Sequence, residues 1–423
     1  MLLLLLFVSG VTAYLDDVVD YRDYTVVSTV ATTAGQLSAL HQLYLDDVSY
    51  RADFFNEPAM VGEKVFLGLP KSQVERVAQL LRTVGAVLTE ENVDLQKSIE
   101  DEIDSNPPQF SRGLQSRSFA FNQYHRYTEI ETYLRQVALE NPKLVRKSII
   151  GHTYENREII ALKIGTGETD KPVIMIDAGI HAREWIAPAT ALYIINQLVT
   201  NYGTDTLITK LVDSYDWYVI PVVNPDGYSY TWTLNRNWRK NRSRPAPFSG
   251  CYGVDPNRNF ALGFAGASTS KNPCSDLYPG PSPFSEAEAR AMKGLTEKNA
   301  KRIRAGLTLH SFGQMWMNPW GYIRQKPDNY DTLLKASRKA VAALKSVHGT
   351  TFKVGSIFEV IYPTGGGSID WQHSIANNTS YFYAVELRPN QGTLNGFQLS
   401  NKQILPVGEE TWKAISTLVN DIL

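Results

Sequence analysis

Cysteine is nearly absent from this 423-residue chain: only Cys251 and Cys274 occur, so at most one disulfide can form within it. In an oxidising compartment the two most simply pair, and closing that loop adds on the order of 3 kcal/mol in a chain-entropy picture. Two free buried thiols are the alternative. An excess of charge of either sign is also lacking, with 42 basic against 43 acidic residues and a net charge of −1. That balance excludes the electrostatic footprint of a nucleic-acid or anionic-membrane binder. Long apolar runs are missing beyond the first residues, and no other stretch approaches the ~20 residues of a membrane span. There is no internal repeat and no low-complexity tract, which removes solenoids and disordered scaffolds.

What remains is a chain of ordinary apolar content, 43%, long enough for two or three domains with a sizeable core. Its first residues, MLLLLLFVSGVTA, are too short to span a bilayer and end in small residues that suit signal-peptidase cleavage after Ala13. The usual basic start is missing, so a short anchor or a buried terminal segment is the alternative. Sequons at Asn241, Asn377 and Asn378 fit the secretory route.

From Tyr14 to about Asp104 the patterns are short. A β-branched run spans Tyr24 to Thr32, and a helical stripe follows at Leu37, Leu40 and Tyr44. Val65 to Leu69 reads as a strand, and a capping box, Ser72 to Glu75, predicts a helix that Gly85 stops. Leu95, Ile99 and Ile103 then mark one further helix face. This is a small α+β unit. Residues 104–119, DSNPPQFSRGLQSRSF, break all periodicity and carry Arg112 and Arg117, as either a plain connector or a proteolytic site would.

Beyond Ser118, strand-like runs alternate with helical patterns, as an α/β domain requires. PVIMIDAGI is a strand and Ala187 to Val199 the helix after it. YDWYVIPVVN, ending at Asn224, is another strand, and Ser285 with Glu288 forms a second capping box. Ala305 to Leu309 is a strand that runs into His310.

His181 and Glu184 lie just past a predicted strand, where open α/β sheets place their ligand sites. H-x-x-E alone is weak in a chain with seven histidines and 43 acids. His310, also at a strand end, supplies a third ligand. Two imidazoles and one carboxylate are a ligand set of catalytic zinc, whose fourth position holds a water with its pKa lowered to about 7. A satisfied core histidine is the bland reading of His310 taken singly. Three further segments concentrate charge: RNWRKNRS (236–243), GVDPNRNF (253–260), and YAVELRP (383–389), where Glu386 interrupts an apolar strand and must be paired or functional.

HAREWI, DPNRN, LHS, IYPTGGGSIDW and VELR, in this order and spacing, resemble the zinc metallocarboxypeptidases of the pancreatic A/B type over essentially all of residues 118–423. The N-terminal unit and the arginine-containing connector resemble that family's propeptide and activation segment. The resemblance implies one Zn2+ per chain on His181, Glu184 and His310, with Asp255 orienting the first histidine. It makes Glu386 the general base and Arg239 the cation that meets the oxyanion. Arg258 would clamp a free α-carboxylate with a two-pronged bond, assisted by Asn257 and Tyr362. Arg236 and Arg183 would line the substrate path. Three glycines, Gly365 to Gly367, suit a mobile flap carrying Tyr362.

In register with that family, the residues that would line the specificity pocket are Met317, Gly321, Ile357, Thr364, Gly367, Ile369 and Ala384. Where basic-residue cleavers of the family carry Asp, this chain has Ile369, so a buried Lys or Arg would find no counter-charge there. The expectation is an A-type exopeptidase that removes C-terminal aromatic or large aliphatic residues. Its rivals are a basic-residue (B-type) preference and a catalytically silent relative that only binds peptide C-termini. The expected architecture is a signal peptide (1–13), a ferredoxin-like α+β propeptide (14–117) and an α/β catalytic domain (118–423) on a mixed, largely parallel sheet flanked by helices. Expected partners are peptides or proteins with a free C-terminus and a trypsin-like protease cutting after Arg117 or Arg112. The protein is expected to be secreted and monomeric, with no nucleic-acid or membrane partner.

Overall fold

The β-branched run near the N-terminus forms the strand Tyr24–Val30 (β1), and VFLGL forms Lys64–Pro70 (β3), its antiparallel neighbour. Two short strands, Asp53–Phe54 (β2) and Thr89–Glu90 (β4), complete a sheet of order β2-β3-β1-β4. With the helices Ala34–Leu45 and Lys71–Arg82 this is the β-α-β-β-α-β order of a ferredoxin-like unit. These coordinates are a computed structural model, which describes residues 18–107, 119–167, 171–246, 249–376, 379–394 and 396–423. Residues 1–13, Arg112, Arg117, Asn377 and Asn378 lie outside them.

Both expected capping boxes fail, for different reasons. The helix at 71 starts directly from the last residue of β3, and its first donor, the Lys71 N–H, reaches the Asp23 carbonyl at 2.8 Å, so Ser72 caps nothing. At Ser285 the Asn259 side chain captures the segment, bonding the Ser285 hydroxyl (2.9 Å) and the Glu286 N–H (3.0 Å). Glu286 becomes the N-cap of the helix Ala287–Asn299.

The rest of the chain builds one eight-stranded sheet. Its strands are Val145–His152 (β5), Glu158–Ile164 (β6), Val173–Ala178 (β7), Asp216–Ile220 (β8), Ile303–Gly313 (β9), Met315–Asn318 (β10), Lys353–Ser356 (β11) and Tyr381–Asn390 (β12). The order is β11-β10-β12-β9-β7-β8-β6-β5: the central strands β12, β9, β7 and β8 are parallel, β10 joins β12 antiparallel and carries β11 parallel at its edge, and β6 and β5 are antiparallel at the other margin. Those central strands are nearly continuous apolar runs because helices cover both faces. One face packs Tyr127–Glu140, Ile186–Thr200, Tyr330–His348 and Ile404–Asp421, and the other packs Ala287–Asn299 and Ser368–Ile375. Each fully buried Leu or Ile contributes roughly 1.5–3 kcal/mol relative to exposure.

β8 stops at Ile220, four residues short of the expected Asn224, whose side chain instead caps the helix Pro225–Thr233. β9 continues through His310 to Gly313 rather than ending before it. The Asn241 sequon is closed to a glycan in the folded chain: Asn241 is 1% exposed, and its amide donates to Glu286 (2.8 Å) and Glu288 (2.9 Å). Cys251 and Cys274 are disulfide-bonded, which removes the free-thiol alternative. Among the described residues no helix is long and apolar enough to cross a membrane.

Candidate metal centre and substrate cleft

The site forms where the chain leaves adjacent parallel strands. β7 ends at Ala178, opposite Leu309 of β9, and the turn that follows brings His181 and Glu184 beside His310. Within β12, Glu386 pairs in register with His310, which places it next to the same cluster.

His181 Nδ1 lies 2.7 Å from one Glu184 oxygen, and His310 Nδ1 lies 3.1 Å from the other and 3.2 Å from His181 Nδ1. All three side chains are buried. Ligand atoms around a tetrahedral zinc ion at about 2.0–2.2 Å sit roughly 3.3 Å apart, so this donor set fits the ion. Burial tends to raise the Glu184 carboxyl, but His181 and His310 outweigh it and hold it well below the usual carboxylate range. Behind the first imidazole, His181 Nε2 meets Asp255 at 3.2 Å. Asp255 is fully buried, and Arg239, His181 and Arg258 overcome the burial penalty to keep it ionised.

Arg239 donates through Nε (3.0 Å) and Nη2 (2.9 Å) to Asp255, so its guanidinium is fixed in the cleft wall. Burial raises the Glu386 carboxyl above the usual carboxylate range, with the Glu184 and Glu57 charges adding to it and His310 and Arg239 opposing it. The cleft is lined by His181, Glu184, His310, Arg183, Arg239, Asn257, Arg258, Glu386 and Ile369.

Six of the seven expected pocket residues line this cavity: Met317, Ile357, Thr364, Gly367, Ile369 and Ala384. Gly321 lies behind them, where an added Cβ would come within 2.9 Å of Ile357. Asp370, unforeseen, also lines the cavity, yet its oxygens accept from the backbone N–H groups of Gly321 and Tyr322 (2.8 Å each). Burial still pushes it up to about 7. Two of the three glycines, Gly365 and Gly366, lie hard against neighbouring backbone. A Cβ on Gly366 would stand 2.1 Å from the Arg258 carbonyl oxygen and one on Gly365 2.1 Å from that of Gly263, so these positions serve close backbone contact.

Two expected substrate residues face the N-terminal unit instead of the cavity. Arg236 is clamped by Glu102 (2.6 and 3.0 Å) and lies over the Trp185 ring at 3.8 Å. Tyr362 joins the apolar cluster of that unit, and its hydroxyl donates to Glu57. Glu57 also accepts from Tyr44 (2.7 Å) and stands 4.0 Å from Arg258. Burial would raise its pKa, but Arg239, Arg258 and the two hydroxyls hold it below the ordinary value. Arg183 meets Asp53 at 3.2 Å. Sequence reasoning also missed Phe312 and Phe397, a T-shaped pair at 5.0 Å on the cleft wall.

Residues 130–414 match the family model described as zinc carboxypeptidase, and residues 27–102 match that of the carboxypeptidase activation peptide. The chain belongs to the zinc carboxypeptidase family: it is a peptidase with zinc as its cofactor, and it carries an activation peptide. It is 40% identical to carboxypeptidase A2 of Rattus norvegicus over 399 residues, covering 94% of this chain and 93% of that protein. It is 43% identical to carboxypeptidase B of Astacus astacus over 297 residues, 70% of this chain and 96% of that protein. Among solved structures, the carboxypeptidase A from Helicoverpa armigera superposes with a TM-score of 0.86 at 29% identity, covering 95% of this chain and 98% of that one.

Proposed function

We propose that the chain is a secreted zymogen, with a leader at 1–13, a propeptide at 14–117 and a catalytic domain at 118–423, that removes C-terminal aromatic or large aliphatic residues. The observation that carries this reading is the seat of Glu57: a carboxylate between Tyr362 and Arg258, in the same cavity as the apolar side chains Met317, Ile357, Ile369 and Ala384. In the mature enzyme the substrate's α-carboxylate takes that seat, bound by Arg258, Asn257 and Tyr362, and its last side chain enters the pocket.

His181, Glu184 and His310 would hold the zinc ion, which when bound would supply Lewis acidity and lower the pKa of a water toward neutrality. Asp255 holds the His181 ring in place. Glu386 takes a proton from the attacking water and passes it to the nitrogen of the leaving residue as the C–N bond breaks. Arg239 meets the charge that develops on the carbonyl oxygen. Latency follows from occupancy: Glu57, Asp53 and Glu102 satisfy Arg258, Arg183 and Arg236 until a trypsin-like protease cuts after Arg117 or Arg112.

A B-type preference is the second reading, favoured by Asp370 on the cavity wall and by the likeness to a carboxypeptidase B. Both readings are separated by trypsin treatment followed by release of Phe and Arg from matched blocked dipeptides. Phe release supports the A-type reading, Arg release alone overturns it, and release of neither from zinc-loaded protein favours a silent binder.

A further inference from the structure

The two imidazoles of the centre are anchored differently on their outer sides. His181 Nε2 faces a carboxylate directly, Asp255, but His310 Nε2 faces the hydroxyl of Thr308 at 3.2 Å. That hydroxyl in turn lies 2.8 Å from Asp177 Oδ1. Asp177, Thr308 and His310 are 2%, 1% and 3% exposed, so water does not compete for these bonds. Strand geometry creates the chain of contacts. Thr308 and His310 are two apart on β9 and share a face, and the β7–β9 register sets Asp177 opposite Thr308.

A hydroxyl has one proton to give. An ionised carboxylate can only accept, so the Thr308 proton goes to Asp177 and a lone pair is left toward the ring. The neutral imidazole that a metal requires must then carry its proton on Nε2. Its Nδ1, the atom beside Glu184 and His181, keeps the lone pair. The reverse arrangement would strip the buried Asp177 oxygen of its donor and aim an N–H at the ligand cluster.

We infer that Asp177 and Thr308 are positioning residues that select, through His310, the tautomer able to ligate the metal ion. The inference rests on His181, Glu184 and His310 being the ligands. It lengthens by one hydroxyl the carboxylate support common behind metal-binding imidazoles, whose loss typically costs about 10–100-fold in metal affinity.

The full-length protein tests it by zinc competition against a chromophoric chelator, alongside 1H–15N spectra of the zinc-loaded, 15N-histidine-labelled chain. Thr308→Ser keeps the hydroxyl and should hold zinc within about threefold of wild type, with the His310 Nε2–H proton still downfield. Thr308→Val and Asp177→Asn should each weaken zinc about 10–100-fold and move that proton upfield. The double variant should be no worse than the weaker single, because the pair acts as one unit. Wild-type zinc affinity in both single variants overturns the inference, as does full additivity in the double. If either variant fails to fold, the wild-type and Thr308→Ser spectra decide: no hydrogen-bonded Nε2–H on His310 sinks it. His310→Ala distinguishes the two levels, since unchanged zinc binding there would remove the ligand assignment itself.

Discussion

The carboxylate of Glu57 accepts the Tyr362 hydroxyl across the seam between the activation-peptide unit and the peptidase sheet. Tyr44 and Arg258 complete its surroundings. A donor set that suits a peptide's terminal carboxylate is thus filled by the chain's own acid, held ionised by Arg239 and Arg258 despite burial.

Glu57→Ala should therefore unmask part of the activity of the uncut chain toward blocked dipeptides, where the wild-type zymogen shows little. Initial rates before and after trypsin measure it. An uncut variant as silent as wild type would mean that Glu57 does not hold the seat. Uncut wild type that already turns over small substrates at the full mature rate would end the latency reading altogether.

Glu386→Gln should keep zinc and lose turnover, by about a hundredfold or more in kcat, since a general acid–base group typically contributes 10²–10⁴-fold. Metal analysis and kcat on the same sample test it together. Chelation of the wild type should abolish activity reversibly and lower the melting temperature, because an ion bound at a hundred times its Kd adds about 2.7 kcal/mol.

Ile369→Asp places a carboxylate on the pocket wall. kcat/KM for C-terminal Phe should fall about a hundredfold or more, and release of C-terminal Arg should appear, because a buried charge is tolerated only when paired. Unchanged selectivity would locate the determinant elsewhere on the wall, with Asp370 the first residue to test.

Docking across the seam should depend on pH. Burial, with Asp276 nearby, pushes Asp47 up to about 7, and burial pushes Asp53 up to about 6 in spite of Arg183. Free aspartates titrate near 3.9, so docking of the cleaved unit takes up protons above that value. Docking is then tighter the lower the pH, weakens as pH rises from about 4 through these raised pKa values, and levels off above about pH 7. The dissociation constant of the trypsin-cut complex should rise roughly tenfold from pH 6 to pH 8. Calorimetry in buffers of different ionisation heat reads the proton uptake directly; no uptake near pH 7 refutes it.

Much of the catalytic half was legible because its chemistry sits in short linear motifs at strand ends. His181 and Glu184 share one turn, Asn257 and Arg258 share another, and Glu386 betrays itself as an acid inside an apolar strand. Asp177 carries the same signal within PVIMIDAGI, yet only its pairing with Thr308 shows what it serves. The capping boxes at Ser72 and Ser285 misled because the Asp23 carbonyl, in the turn before β1, and the Asn259 amide met the needs those serines were expected to meet.

The sequence by itself determined the alternation of strands and helices, the ligand types and the apolar pocket residue, since periodicity and residue chemistry are local properties. Tertiary structure alone decided which distant groups meet: the β7–β9–β12 register that gathers the centre, the Thr308 bridge between Asp177 and His310, and the pairing of Glu57, Asp53 and Glu102 with three arginines. Those pairings join residues more than a hundred positions apart, and only packing can choose which of 43 acids lies against which cation.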